Sequence, residues 1–259
     1  MKTPYFFHEA PPFTPPPTIL DTLHKICHFV LNPKLVKPEK NVLEVKLPLI
    51  FQLTFIELLL QTLLFSAIIL GYTAFDLRGI ESDLIKDYFA NTPFVLIFTL
   101  MVLIGPIKEE VIFRLPLVYS KGFLLVALAV FMYNYGPVVS AAIGATHLQL
   151  IFSMAVAGVL ATAFLFSRKA QACMYLLWKR HYTLVFYTIT LLFALMHLLN
   201  YLNEPTSLLL LLVLIIPKFV GGVFLGYTRL RLGLAWAVAQ HVFNNLVAML
   251  LVYGFIYNN

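Results

Sequence analysis

The chain has 259 residues, of which 61% are hydrophobic and only 12% charged, and its mean hydropathy is +0.88. A soluble domain carries roughly a quarter of its residues as charged side chains. The composition therefore excludes an ordinary soluble protein and indicates one that uses lipid as its solvent. The net charge of +6 is scattered without a dense basic arm, which is typical of loops that face anionic lipid and argues against nucleic-acid binding.

Residues 1–47 are predicted to stay outside the bilayer. Residues 1–17 contain six prolines and form a loose tail. Thr18 can cap a following helix whose first turn contains Asp21. This helix has an apolar and a polar face, so it either lies on the membrane surface or packs on the protein's own loops. Residues 32–47 carry four lysines and form a basic linker.

Residues 48–259 are predicted to form an all-α, polytopic membrane helix bundle of about seven to eight transmembrane helices. One short apolar run ends at Gly136-Pro137, where we expect a break between two helices. The apolar runs cover residues 48–75, 93–107, 122–135, 138–167, 183–201, 207–227 and 233–256. We expect a multi-pass protein of a cell membrane, and the compact size favours a bacterial inner membrane.

The distribution of basic residues predicts a cytoplasmic N-terminus and an outer C-terminus. In that orientation the outer segments hold only Arg78 and Lys86. The inner segments hold Lys2, Lys25, Lys34, Lys37, Lys40, Lys46, Lys121, Arg168, Lys169, Lys179, Arg180, Arg229 and Arg231.

The stretch KEEVIFR, residues 108–114, places charges at the end of an apolar run. Each charge costs about 2.5–3.5 kcal/mol near the bilayer centre, so each needs a partner or a function. Arg114 follows Glu110 by one helical turn, and the two can pair on one face. Glu109 points about 100° away and is left free to act as a general base. The alternative is a charge cluster at the water interface without a catalytic role.

Two later spans carry side chains suited to acid–base and oxyanion chemistry. His197 lies in LLFALMHLLNY, four residues after Phe193. His241 and Asn245 lie one turn apart in AVAQHVFNN, with Asn244 beside them. The structural alternatives are a buried histidine bonded to a carbonyl group for His197 and polar contacts between helices for the other residues.

Together the three segments hold the groups needed to hydrolyse a peptide bond. Glu109 would take a proton from water, and His197 would hold that water. His241 and Asn245 would donate hydrogen bonds to the developing oxyanion. Shielding from bulk water would strengthen each of these interactions.

The three segments resemble the motifs of a known family. EEVIFR (109–114), FALMH (193–197) and HVFNN (241–245) look like the EExxxR, FxxxH and HxxxN motifs of CPBP-type (Abi-type) intramembrane proteases. That group includes CAAX prenyl endopeptidases and bacteriocin-processing proteins. The resemblance covers about residues 90–256 and implies an endopeptidase acting near a lipidated C-terminus or on small peptides and their leaders.

By this resemblance Glu109 is the catalytic acidic residue. The remaining residues implied are His197, His241 and Asn245 in the site, with Glu110, Arg114 and Phe193 supporting them. Family members have been described both as metalloproteases and as glutamate-dependent enzymes without metal. The sequence lacks an HExxH motif, so no cofactor is predicted. A divalent metal stays open, and its ligands would be Glu109, His197 and His241.

One interval departs from the family pattern. The distance along the chain from Glu109 to His197 is longer than the family leads us to expect, and His147 in AIGATHLQL is nearer. We prefer His197 because Phe193 precedes it by four residues, and we expect an extra helical hairpin in the interval. His147, like Asn244, would then be a polar residue behind the catalytic groups.

Two functions other than proteolysis are also compatible with the sequence. A non-proteolytic membrane scaffold or immunity-type protein could use the same fold. An ion-coupled transporter could use Glu57, Glu109, His147 and Lys218 as an ion path. Glu57 and Lys218 could instead be structural charges paired across helices.

The expected partners of the protein are membrane lipids and a peptide or membrane-protein substrate, with no nucleic acid. The oligomeric state stays open.

Overall fold

A computed structural model describes residues 16–74, 91–142, 144, 146–201 and 208–258, so most of the predicted Pro-rich tail lies outside the described residues. The described part of the chain is almost entirely helical and contains no β-strand. Five of its helices are long and apolar enough to cross a membrane: Val42–Ile68, Lys121–Val138, Leu148–Phe166, Tyr182–Leu199 and Leu234–Leu251. The predicted all-α membrane bundle is therefore confirmed.

We number the α-helices in chain order. They are α1 (Ile19–Leu31), α2 (Leu47–Ala74), α3 (Phe94–Ile97), α4 (Gly105–Phe113), α5 (Lys121–Ala142), α6 (His147–Phe166), α7 (Arg168–Arg180), α8 (Tyr182–Met196), α9 (Leu208–Arg231) and α10 (Leu234–Asn258). A π-helical turn, Val42–Lys46, leads into α2, and a π-helical stretch, Phe98–Ile104, joins α3 to α4. Short 3₁₀ turns, Leu115–Leu117 and His197–Tyr201, follow α4 and α8.

Helix α1 begins as the sequence predicts, because the Thr18 hydroxyl accepts a hydrogen bond from the backbone N–H of Asp21 at 3.2 Å. One side of α1 packs on the bundle, where Phe29 meets the rings of α8 and α9. Another side exposes large apolar residues, among them Leu20 and Leu31. The helix thus packs on the protein and still presents an apolar surface of the kind that a membrane-surface helix needs.

The predicted break at Gly136-Pro137 is wrong. Helix α5 continues through Pro137 and ends at Ala142. The next helix starts instead at a capping box, in which the Thr146 hydroxyl accepts from Gln149 N and the Gln149 side chain accepts from Thr146 N. This pair satisfies two N–H groups at the helix start, so the capping residues set the boundary more strongly than the proline does. Helices α5 and α6 lie in the interval between Glu109 and His197 and pack against each other.

The basic linker is tied to the turn between α9 and α10. Glu39 forms an ion pair with Arg231 at 2.9 Å, and Lys46 donates to the carbonyl of Leu232 at 2.9 Å. Gly233 adopts a φ of 112° at this turn, a conformation that favours glycine. At the same end of the bundle, Trp178 donates to the carbonyl of Pro116 at 2.9 Å. Several segments rich in basic residues therefore meet at one end.

Helix α9 is the centre of the bundle, because α2, α8 and α10 all pack against it. Glycines allow this close packing. A Cβ atom at Gly226 would lie 2.7 Å from the Phe186 ring of α8, and one at Gly221 would lie 2.8 Å from Gln61 of α2. Small residues at helix interfaces let backbones approach closely, as in GxxxG pairs of membrane helices. Helix α6, by contrast, packs on α5 and α7 at the periphery.

We expect Gly226→Leu to push α8 away from α9 and to lower the free energy of unfolding by about 1–3 kcal/mol, the range typical of overpacking. Gly158→Leu is the matched control, since a Cβ atom at Gly158 of α6 would meet no atom within 4 Å. The measurement is the apparent Tm of both purified variants in the same detergent. A Gly226→Leu protein that melts with the wild type would contradict the close approach of α8 and α9.

Candidate active site

Two charges of the EEVIFR stretch are enclosed by protein. Glu110 and Arg114 are 0% and 1% exposed, and Arg114 Nε lies 3.5 Å from Glu110 Oε1. Their spacing of one helical turn brings them together, as predicted. His241 Nδ1 donates to the same oxygen, Glu110 Oε1, at 3.0 Å, so Glu110 has partners on two helices. This burial argues against the alternative of a charge cluster at the water interface.

Glu109 has a different environment from its neighbour. Its side chain is 21% exposed, and its Oε2 lies 3.6 Å from Nε2 of His241. Successive residues of a helix point about 100° apart, which is why adjacent carboxylates can have such different surroundings. Glu110 is enclosed by Arg114 and His241, whereas Glu109 reaches a partly open position beside the same histidine.

Helix α8 covers the guanidinium group of Arg114. The central carbon of that group lies 3.8 Å from the centroid of the Phe193 ring, within the range of a cation–π interaction. Phe193 is 3% exposed, and its ring also contacts the rings of His197 and His241, with centroids 4.8 Å and 6.1 Å away. Phe193 thus links all three motifs.

His197 lies at the end of α8 with a defined proton position. Its Nδ1 is 2.9 Å from the carbonyl oxygen of Phe193. Since a carbonyl only accepts, Nδ1 carries the hydrogen, and the neutral ring keeps a lone pair on Nε2. This is the carbonyl-bonded histidine of the structural alternative. Lys218, Glu109 and His241 are nonetheless close enough to interact with it electrostatically.

Helices α4 and α8 run antiparallel, which brings the end of α8 back toward Glu109. The Tyr182 hydroxyl donates to the carbonyl of Leu117, and the Phe113 ring lies 5.5 Å from the Phe193 ring. Residues later in α8 therefore lie beside residues earlier in the segment that contains α4. His197 at the end of α8 contacts the Phe193 ring, which also contacts His241, and His241 lies beside Glu109.

Asn245 satisfies a carbonyl group that the backbone leaves unpaired. In the π-helical stretch, the N–H of Gly105 bonds to the carbonyl of Leu100. The next bond in that pattern would join residue 106 to Met101, but Pro106 has no N–H to donate. Asn245 Nδ2 donates to the Met101 carbonyl at 2.9 Å instead. Asn245 therefore serves as a contact between helices, and its second amide N–H can serve another acceptor.

A buried hydrogen-bond network next to His241 was missed by the sequence analysis. Gln240 donates to Glu57 at 2.6 Å and accepts from the Thr228 hydroxyl at 2.6 Å. Gln61 donates to Glu57 at 3.0 Å, as their shared face of α2 suggests. The spacing of Gln240 and Asn244 by one turn was a signal available in the sequence. Local spacing does not identify Glu57 of α2 as the partner of Gln240, because it does not show which helices pack against each other.

Two further side chains face the site. Lys218 is half-buried on α9 and interacts electrostatically with Glu109 and Glu57, while among the described residues no carboxylate lies within 4 Å of its ammonium group. Tyr135 of α5 also interacts electrostatically with Glu109. The structural pairing suggested for Glu57 and Lys218 is therefore a longer-range interaction, not a direct ion pair.

The remaining predicted site residues are placed as follows. Asn244 is 8% exposed and faces Glu57. The side chain of His147 lies outside the described residues, and its backbone begins the peripheral helix α6. Within the described ranges, no group of three or more His, Cys, Asp or Glu side chains could hold a metal ion. Glu109, His197 and His241 do not form such a group, and we derive no chemical step through a metal.

Comparisons with known proteins give no independent assignment. A scan against protein-family models and searches of curated proteins and of solved structures found no match to this chain. The resemblance to CPBP-type proteases therefore depends on three short motifs.

We expect Asn245→Leu to lower the free energy of unfolding by about 1–2 kcal/mol, because the Met101 carbonyl loses its partner. In a Pro106→Ala background the loss should be smaller, since alanine, unlike proline, supplies a backbone N–H to the same carbonyl. The measurement is a double-mutant cycle of equilibrium unfolding in mixed micelles. Asn134→Leu is the control, because Asn134 bonds to a carbonyl of its own helix. Equal losses from Asn245→Leu in both backgrounds would refute the link to Pro106.

Proposed function

We propose that the chain is an intramembrane endopeptidase of the CPBP type, which hydrolyses a peptide bond in a membrane-associated protein or peptide. One observation carries this proposal: the two adjacent carboxylates have different environments. Glu110 is fully buried and bonded to His241, with Arg114 beside it. Glu109 is partly exposed beside His241. Glu110 thus has a structural role, and Glu109 is accessible to react.

In the proposed reaction, Glu109 takes a proton from a water molecule as the water oxygen attacks the carbonyl carbon of the substrate. The Nε2 lone pair of His197 accepts a hydrogen bond from the same water, because Nδ1 is occupied by the Phe193 carbonyl. Glu109 then returns the proton to the leaving nitrogen as the carbon–nitrogen bond breaks. The products are a new carboxyl terminus and a new amino terminus.

The negative charge that develops on the carbonyl oxygen needs donors. His241 is fixed by the bond from its Nδ1 to Glu110, so its Nε2 is directed to the Glu109 side of the site. Because Nδ1 already carries the hydrogen that bonds to Glu110, Nε2 can donate to the oxyanion from the imidazolium form, in which both ring nitrogens carry a hydrogen. Asn245 has one amide N–H on the Met101 carbonyl and a second N–H for the same purpose.

The proposal extends to the membrane, the orientation of the chain and the substrate. The membrane would be a bacterial inner membrane, with the N-terminus in the cytoplasm and the C-terminus outside. The basic linker, Arg231 and the basic last turn of α7 with Lys179 and Arg180 gather at one end of the bundle, which supports that orientation. The substrate would be cleaved near a lipidated C-terminus or at the junction of a leader and a small peptide.

The test compares wild-type protein with Glu109→Gln in the parent cell. New N- and C-termini of membrane and secreted proteins are mapped by mass spectrometry. We expect specific termini to vanish in Glu109→Gln while uncut precursors accumulate, because Gln cannot accept the proton from water. Glu44→Gln is the matched control, since Glu44 is an exposed glutamate near the start of α2.

Unchanged termini in Glu109→Gln would overturn the protease proposal, provided the variant reaches the membrane at the wild-type level. If deletion of the gene still gives a phenotype in that case, a scaffold or immunity-type role replaces it. Uptake in liposomes that depends on a pH gradient would instead favour the transporter.

A further inference from the structure

Glu57 is a buried carboxylate that the proposed mechanism does not use. It lies on α2, is 1% exposed, and belongs to a helix with no part in the three motifs. Its two oxygens accept hydrogen bonds from different helices: Oε1 from Gln61 of α2 at 3.0 Å, and Oε2 from Gln240 of α10 at 2.6 Å. A carboxylate inside a membrane helix is costly and is retained where it has a role.

Helix α10 carries two polar stripes that meet different partners. His241 and Asn245 form the first stripe and face Glu110 and the Met101 carbonyl. Gln240 and Asn244 form the second stripe, one residue earlier and about 100° around the helix. The second stripe faces Glu57, which Gln240 contacts directly and with which Asn244 interacts.

Rotation of α10 about its own axis decides where His241 points. Apolar contacts in lipid restrain such rotation weakly, because lipid and apolar side chains are alike in polarity. Hydrogen bonds between helices are directional and restrain it strongly. The bond from Gln240 to Glu57 is reinforced by the Thr228 hydroxyl of α9, which donates to the other end of the same amide. Three helices thus meet at one side chain adjacent to His241.

We infer that Glu57 is a positioning residue. Through Gln240 it sets the rotation of α10 that directs His241 at Glu109 and Glu110. This inference rests on the proposed function, since it assigns Glu57 a task in the same site. Glu57 does not touch the reacting atoms, and its effect reaches them through the helix that carries His241.

The first experiment measures kcat and KM per folded molecule for the precursor identified with Glu109→Gln. We expect Glu57→Leu to lower kcat by about 10- to 100-fold with KM little changed, because a small displacement of a catalytic group costs that much in rate. Gln61→Leu is the matched control: Gln61 bonds to the same carboxylate but belongs to α2, so its loss should leave the rotation of α10 unchanged.

Exchanging the residues at positions 57 and 240 tests whether Glu57 orients α10 or only stabilises the fold. In the double variant Glu57→Gln with Gln240→Glu, the amide and carboxylate exchange places. The new carboxylate can still accept from the Thr228 hydroxyl and from the new amide on α2. We expect this variant to recover kcat to within about threefold of wild type. If Glu57→Leu yields too little folded protein, Gln240→Met breaks the same bond from α10 and is expected to lower kcat similarly.

The proposal is overturned if Glu57→Leu lowers the Tm but leaves kcat per folded molecule unchanged, since Glu57 would then only stabilise the fold. It is also overturned if the swap fails to restore kcat while its Tm returns to the wild-type value.

A second measurement needs no substrate. Ile97 and Met249 share a buried cluster between the π-helical side of the site and α10. Cysteines are placed at both positions after Cys27 and Cys173 are replaced by serine, and the rate of disulfide formation is followed. We expect Glu57→Leu to slow cross-linking several-fold, because α10 turns away. An unchanged rate would overturn the inference. Slowed cross-linking together with unchanged termini in Glu109→Gln would leave Glu57 in its role and remove the protease proposal alone.

Discussion

The buried pair of Glu110 and Arg114 is the constraint on which the rest of the site depends. Neither charge is stable in an apolar interior without compensation, and one ion pair rarely suffices. The compensation comes from other helices: α8 places the Phe193 ring over the guanidinium group, and α10 places His241 on the carboxylate. Gly222 and Gly226 of α9 let α8 approach closely. The charges therefore specify which helices must meet, while apolar packing alone would allow many arrangements.

The same constraint accounts for the properties of Glu109. Because Glu110 takes up Arg114 and the Nδ1 side of His241, Glu109 is left at the edge of the cluster with the Nε2 side of that ring. A single imidazole ring thus separates a structural carboxylate from an accessible one. The proposed hydrolysis needs one buried, structural carboxylate and one accessible carboxylate. This difference follows from helical geometry and from the pairing of neighbouring charges.

Local spacing predicted what lies within one helix and little of what lies between helices. The pairing of Glu110 with Arg114 and the cap at Thr18 follow from contacts three or four residues apart. The bond from Gln240 to Glu57 and the bond from Asn245 to Met101 depend on lateral packing, for which the sequence has no periodic signal. The break between α5 and α6 lies after Pro137, because proline is tolerated inside α5 and the capping box at Thr146 starts α6.

Pairing within one helix also has a consequence during synthesis of the chain. Glu110 and Arg114 are made only four residues apart, so they can pair as a nearly neutral unit as soon as this helical turn forms. His241 follows Glu110 by 131 residues, which takes the ribosome roughly 7 to 26 s at typical elongation rates. During that interval Arg114 is the only one of the two partners of Glu110 that has been made. Until the later helices are made, the intrahelical ion pair is thus the compensation available to Glu110.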